Sequence, residues 1–325
     1  RLQENQVLCS CYHLNVCVMF NSDSFRSIAE LFGMKVSDFY LLTKNPDIFY
    51  CTYKIPKRSG GYRKLSAPSL RLMAIQRSIL NYILKPNFAP LDCCVGFVSD
   101  KSILDNVRPH LKRDFIFKTD IKDFFPSISL KKVQQLFLEL GYSCEVSRIL
   151  AKLCCKNYCL PQGAPTSPMI SNMILHKIDE KIMNLCKEKE LVYTRYADDI
   201  TISSTKQIDK NLEKEIARLL AEHNMELNYK KTHFYGPKSK KIITGISISS
   251  GSPMLPRQTK RAWRQEINMI QKFGLLKHME NTKQLNPLFI PSLKGKLLFW
   301  KHIEPTNKFI DKGFIVLDEA LKELD

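Results

Sequence analysis

Apolar residues recur every three or four positions along most of this chain, and alternate with polar ones in a few short stretches. Residues 23–47 have the helical spacing, with "SDSFRSIAELFG" opening on a cap-type serine, Ser22 or Ser24, and stopping at Gly33. "FYCTYKIPKRSGGYRKLSAP" alternates on both sides of "KRSGG", which predicts a hairpin. In "SLRLMAIQRSILNYIL" the residues Leu72, Ile75, Ile79 and Leu80 share one face of an amphipathic helix. Residues 114–121, "DFIFKTDI", form a strand pattern that ends in an acid, and residues 130–155 return to helical spacing. A Gly/Pro loop, "LPQGAPTSP", then leads into a long helix. After it come a hairpin through "YTRYADDITIS", the helix "KNLEKEIARLLAEHN", strands in "KTHFYG" and "KIITGISIS", and a helical C-terminal stretch. The sum is an α+β fold with a small antiparallel sheet and many helices. No repeat or low-complexity linker divides it, so any subdomains pack closely.

Composition narrows the function. At 325 residues the chain can bury a large core, and its 50 Lys and Arg against 32 Asp and Glu leave a net charge of +18 spread along its length. Such a surface attracts polyanions, nucleic acid first among them. No signal peptide or membrane span is expected; the most apolar stretch near the start, "LCSCYHLNVCVMF", is too short and too polar to cross a bilayer. The 11 cysteines are odd in number and include the neighbours Cys93/Cys94 and Cys154/Cys155. Reduced, buried thiols in a cytoplasmic protein are the expectation. "CCKNYC" and "CSC" lack a second Cys/His pair at finger spacing, so no structural zinc is expected.

The candidate chemistry lies in the hairpin "LVYTRYADDITISS". Strand side chains alternate between faces, so Asp198 and Asp199 reach one site only at a tight turn. Aspartate is also an ordinary turn former. A third acid decides between the two readings, because Asp120 ends an apolar strand with Phe124 and Phe125 close behind. If the two strands pair, three carboxylates meet, and like charges that close call for a compensating cation, with Mg²⁺ suited to hard oxygen ligands. Two such ions activate a 3′-hydroxyl and stabilise a pyrophosphate leaving group.

"FKTDIKDFFPSI", "LPQGAPTSP", "YTRYADDITIS" and "NYKKTHFYG", in this order, resemble the successive palm motifs of reverse transcriptases. "YKIPKRSGGYRKLSAP" and "IQRSILNYIL" are similar to the fingers segments of the bacterial branch. Within that branch, "GFVSDKSILDNVRPH" resembles the retron segment Asn-Ala-x-x-His, here Asn106-Val107-x-x-His110, and "KIITGISIS" resembles its Val-Thr-Gly element, with Ile243 for Val. The resemblance implies a right-hand polymerase: N-terminal helices and fingers over 1–115, a palm over 116–250 with inserted fingers helices at about 130–158, and a helical thumb over 251–325. It implies that Asp120 and Asp198 bind two Mg²⁺ ions, that Asp199 supports them, and that the Ile121 carbonyl is a backbone ligand. It makes Phe125 the residue that excludes a ribose 2′-OH. Lys57 and Arg63 are assigned to the incoming triphosphate, and Gln162 and Gly163 to the nucleotide pocket. Lys231 matches the lysine that protonates pyrophosphate, with Lys230 beside it leaving the register open. Asn106 and His110, four apart, are expected to hydrogen-bond to folded RNA.

In "RQTKRAWRQEINMI" Arg257, Lys260, Arg261 and Arg264 fall on one helical face, and Trp263, Ile267 and Ile270 on another. In a polymerase thumb the basic face would touch duplex phosphates. No ribonuclease H carboxylates are left over, so template removal falls to a host ribonuclease H in trans. The function expected is a retron-type RNA-directed DNA polymerase. It would use dNTPs to copy part of a structured noncoding RNA into a branched RNA–DNA product, within an antiphage system that includes an effector protein encoded nearby. The alternatives are another bacterial reverse transcriptase lineage, or a basic nucleic-acid scaffold with a degenerate site.

Overall fold

A computed structural model describes residues 25–56, 60–283 and 286–322. The apolar stretch near the start, the cap serines Ser22 and Ser24, and Lys57 lie outside these residues. Helices α1 (Phe25–Leu31) and α2 (Val36–Lys44) occupy the region where short helices are expected, and Gly33 takes a positive φ of 63° after the first of them. Strands β1 (Tyr50–Pro56) and β2 (Tyr62–Pro68) pair antiparallel as the "KRSGG" hairpin, with Gly60 and Gly61 both at positive φ in the connection. Helix α3 (Leu70–Ser78) follows, capped by the Ser69 hydroxyl, and continues into a π-helical turn over Ile79–Leu84. The short α4 (Ile103–Val107) opens on a capping box in which Ser102 and Asp105 bond reciprocally.

The central sheet contains β3 (Phe115–Asp120), β4 (Val192–Tyr196), β5 (Asp199–Ser204) and β6 (His233–Tyr235), in the order β4-β5-β3-β6 and antiparallel throughout. Its register pairs Asp120 with Asp199, Thr119 with Ile200, Lys118 with Thr201 and Phe117 with Ile202. Because successive residues face opposite ways, Phe117, Ile200 and Ile202 share the face that enters the larger core, and Lys118, Asp120, Asp199 and Thr201 share the other. Helices α5 (Leu130–Glu139), α6 (Cys144–Cys154) and α7 (Ser167–Glu188) pack on the apolar face, together with α8 (Asn211–Ala221). Serine hydroxyls cap α5 and α6, and Pro168 sits in the first turn of α7, where its missing N–H costs nothing.

A second core gathers the two-residue strands β7 (Ile242–Ile243) and β8 (Ile246–Ser247) with helices α9 (Arg257–Phe273), α10 (Leu275–Thr282), α11 (Phe289–Ile303) and α12 (Lys308–Lys322). Leu104 and Val107 of α4 and Ile116 of β3 belong to it as well, so this core closes over one end of the polar sheet face. No helix among the described residues is long and apolar enough to cross a membrane.

Candidate active site

Antiparallel pairing places the end of β3 beside the start of β5, so Asp120 comes next to the turn that carries the other two acids. That turn is only Ala197 and Asp198, since Tyr196 already pairs with Asp199. Ala197 takes a φ of 57°, and the Asp198 carbonyl accepts the Ile121 N–H at 3.0 Å. The Ile121 carbonyl itself accepts no hydrogen bond among the described residues. Burial, Asp199 and Asp120 together raise the Asp198 pKa to about 6, the mark of negative charges crowded in a half-dry place. Burial also raises the pKa of Asp199, while Lys118 pulls it back.

The compensating cation is a side chain. Lys231 Nζ bonds Asp120 Oδ2 at 2.5 Å, and Asn228 Nδ2 bonds Asp120 Oδ1 at 2.9 Å. The Asp120 contact raises the Lys231 pKa, and Asp198 and Asp199 add to the effect. Both Lys230 and Lys231 are exposed, and it is Lys231 that bonds to the acids. Asn228 carries no titratable group, and its position three residues before Lys231 is the one signal that could have flagged it. No set of three His, Cys, Asp or Glu side chains among the described residues is drawn close enough to hold an ion outright. The acids share a zone, with one side of it taken by Lys231.

Phe125 is half-buried, its ring 5.1 Å from that of Phe124 and 6.3 Å from that of Phe97. Arg63 is exposed on β2 opposite Ile55. The "LPQG" loop packs against β2, with Gln162 half-buried and Gly163 exposed. The Gln162 carbonyl accepts the Ser66 N–H at 2.7 Å, and a Cβ on Gly163 would stand 2.8 Å from the Ser66 carbonyl. The close approach that glycine permits here is therefore to β2 of the protein itself.

Asn106 and His110 require a correction. Both are 0% exposed, so neither side chain can touch RNA. His110 bonds Ser203 Oγ at 2.6 Å and Thr194 Oγ1 at 2.8 Å through its two ring nitrogens, and burial pushes its pKa down to about 3. Asn106 Nδ2 reaches Thr244 Oγ1 at 3.4 Å, which joins the two retron-like segments directly. The pair ties β4, β5 and the base of the second core together. The basic face of α9 also divides. Arg257, Arg261 and Arg264 are exposed, with Arg264 lying over the rings of Trp300 and Phe309. Lys260 is 14% exposed and bonded to Glu304 at 3.1 Å, so it fastens α9 to the end of α11. Gln265, Asn268 and Lys272 extend the exposed face and, with the arginines, line a hollow of about 850 Å³.

A centre of acids at the ends of the two inner strands, backed by helices, fits a nucleotidyl-transferring polymerase. The family model described as "Reverse transcriptase (RNA-dependent DNA polymerase)" matches residues 55–268, which include every acid and lysine of the site. The chain is 36% identical over 253 residues to Retron Ec86 reverse transcriptase of Escherichia coli, covering 76% of this chain and 78% of that one. It is 30% identical over 291 residues to Retron Ec83 reverse transcriptase of the same species, covering 84% and 88%. The protein belongs to the retron reverse transcriptases, a bacterial group of RNA-directed DNA polymerases. A telomerase from Candida albicans, solved with a TWJ fragment of telomeric RNA, aligns over 83% of this chain and 63% of its own at 10% identity and a TM-score of 0.45.

Proposed function

We propose that this polymerase copies part of a structured noncoding RNA into DNA by two-metal nucleotidyl transfer, leaving a branched RNA–DNA product. The observation that carries the reading is the meeting of Asp120, Asp198 and Asp199 where the inner strands β3 and β5 end, with the Asp198 carboxylate left short of neutralising charge. Hard oxygen donors of this kind fit Mg²⁺. Asp120 and Asp198 would hold two ions, with Asp199 and the Ile121 carbonyl beside them, and Lys231 would give up its pair with Asp120 to make room. When bound, the ions activate the 3′-hydroxyl and take up charge on the departing pyrophosphate. Freed from Asp120, Lys231 then stands where it can donate its proton to that pyrophosphate.

Phe125 is the candidate gate against ribonucleotides, and Arg63 and Lys57 the candidate triphosphate contacts. Gln162 and Gly163 would shape the nucleotide pocket indirectly, by fixing β2. The proposed division is N-terminal helices and fingers over 1–115, a palm over 116–250 and a thumb over 251–325 whose arginines grip the duplex backbone, with the second core joining the thumb helices to Leu104, Val107, Ile116 and β7–β8. The eight described cysteines are all free, which supports a reducing, cytoplasmic setting. A host ribonuclease H would remove the copied RNA, and an antiphage role would require an effector protein encoded nearby. Sequencing the nucleic acid that co-purifies with the protein tests the retron reading. One structured RNA joined through a branch to its DNA copy is expected, whereas random host RNA with no attached DNA would point to another lineage.

A further inference from the structure

The turn that carries Asp198 is held from behind by side chains to which the resemblance assigns no role. Tyr193 and Arg195 alternate onto the helix-facing side of β4, where both meet Asp179 of α7. Arg195 Nε lies 2.8 and 3.1 Å from the two Asp179 oxygens, and its Nη2 lies 2.6 Å from Oδ2. The Tyr193 hydroxyl donates to Asp179 Oδ1 at 2.6 Å. Arg195 and Asp179 are each 1% exposed. The remaining guanidinium nitrogen, Nη1, donates to the Ala197 carbonyl at 2.9 Å and to Asn172 Oδ1 at 3.1 Å. Asn172 in turn donates to the Gly96 carbonyl at 2.8 Å. Gly96 lies so close to the turn that a Cβ there would stand 2.3 Å from the Ala197 nitrogen.

Stability alone does not account for this arrangement. A buried ion pair costs desolvation on both sides, and apolar residues of similar volume commonly replace one without loss. What the pair supplies is direction. A planar guanidinium held along its Nε–Nη2 edge by a carboxylate has its last nitrogen aimed, and here it is aimed at the carbonyl of a residue in the left-handed region. Arg195 holds the Ala197 carbonyl and the Ile121 N–H holds the Asp198 carbonyl, so the backbone on both sides of the Asp198 side chain is fixed relative to Asp120.

We propose that Arg195, oriented by Asp179 and Asn172, is a positioning residue for nucleotidyl transfer that holds the Asp198 carboxylate in register with Asp120. It touches neither substrate nor metal, and its role rests on the reading of the acids as the metal site.

Two variants of the full chain separate positioning from folding. Arg195→Lys keeps a charge for Asp179, but one ammonium cannot span Asp179, Asn172 and the Ala197 carbonyl together. The triple change Tyr193→Phe, Asp179→Leu, Arg195→Met removes the whole polar cluster and leaves no buried charge unpaired. Thermal melting and RNA affinity report the fold, electron paramagnetic resonance of free Mn²⁺ reports the carboxylate site without turnover, and primer extension separates kcat from the dNTP KM. Both variants are expected to melt and bind RNA like wild type, to bind Mn²⁺ at least about tenfold more weakly, and to lose about a hundredfold in kcat at nearly constant KM, the scale of a small misplacement of reacting groups. A folded triple variant with wild-type kcat and Mn²⁺ affinity overturns the proposal, and so does failure of both variants to fold, which would make the cluster a folding element. Asp198→Asn is the control for the underlying reading. If it leaves wild-type Mn²⁺ binding unchanged, the metal site lies elsewhere, and the kcat of the two variants still decides the positioning role.

Discussion

Asp198 ionises between two like charges, and this determines how the metal-free protein responds to pH. Its pKa is raised from 3.8 to about 6 in the folded chain, so the folded state holds the proton more tightly than the unfolded one. That contribution to stability is complete below the ordinary value and is lost as pH rises through about 6. In EDTA, wild type should therefore lose stability between about pH 4 and 6.5, while Asp198→Asn should escape that loss and be more stable at pH 7.5 by on the order of 1–2 kcal/mol. Calorimetric melting of the two proteins across this range is the check, and parallel curves would mean that the Asp198 carboxylate is not crowded. Asp120, Asp198, Asp199 and Lys231 were legible in the sequence because they fall in ordered motifs. The Asp179–Arg195 pair was not, although Arg195 lies in the same motif as Asp198, since its partner lies 16 positions away on another element.

Periodicity located most of the elements, because helices and strands here are amphipathic and their apolar faces set their spacing. What it could not supply was which polar groups on those elements face solvent. Lys260 and Arg264 fall on the same helical stripe in sequence, yet one is bonded to Glu304 and the other lies exposed over aromatic rings. Replacing Arg257, Arg261 and Arg264 by alanine should flatten the salt dependence of RNA–DNA duplex binding by up to about three units of log–log slope, at roughly 0.7–0.9 per phosphate contact. Lys260→Ala should leave that slope unchanged and lower the melting temperature, because Glu304 loses its cation. Binding isotherms at several salt concentrations, with melts alongside, distinguish the two. Equal slopes for the triple variant and wild type would show that the arginines do not meet phosphate.

On the scale of the whole molecule, the segment around α4 joins the sheet to the second core. Asn106 meets Thr244 across 138 residues of sequence, and His110 spans β4 and β5. Contacts between segments so distant in the chain leave no trace in periodicity or spacing, which is why these residues looked like RNA contacts when read in the sequence. Because His110 is buried and neutral, Asn106→Ala with His110→Ala should destabilise the protein by several kcal/mol, through unpaired hydroxyls and a cavity. Synthesis from the cognate RNA and extension of an annealed DNA primer should then fall together. Selective loss of the RNA-primed reaction in a protein of unchanged stability would restore the recognition role.

Polymerisation is assigned to the acids where β3 meets the β4–β5 turn, and one comparison tests them most directly. Wild type and Asp198→Asn are assayed on one primed RNA template for Mg²⁺-dependent dNTP incorporation, and on the same template for equilibrium binding. The predicted result is a loss of incorporation of about a thousandfold or more with template affinity changed by less than about threefold, because the substitution removes a carboxylate from the reacting centre and no contact to phosphate. Incorporation near the wild-type rate, or loss of incorporation and binding together, would contradict the placement of the polymerising centre at this turn.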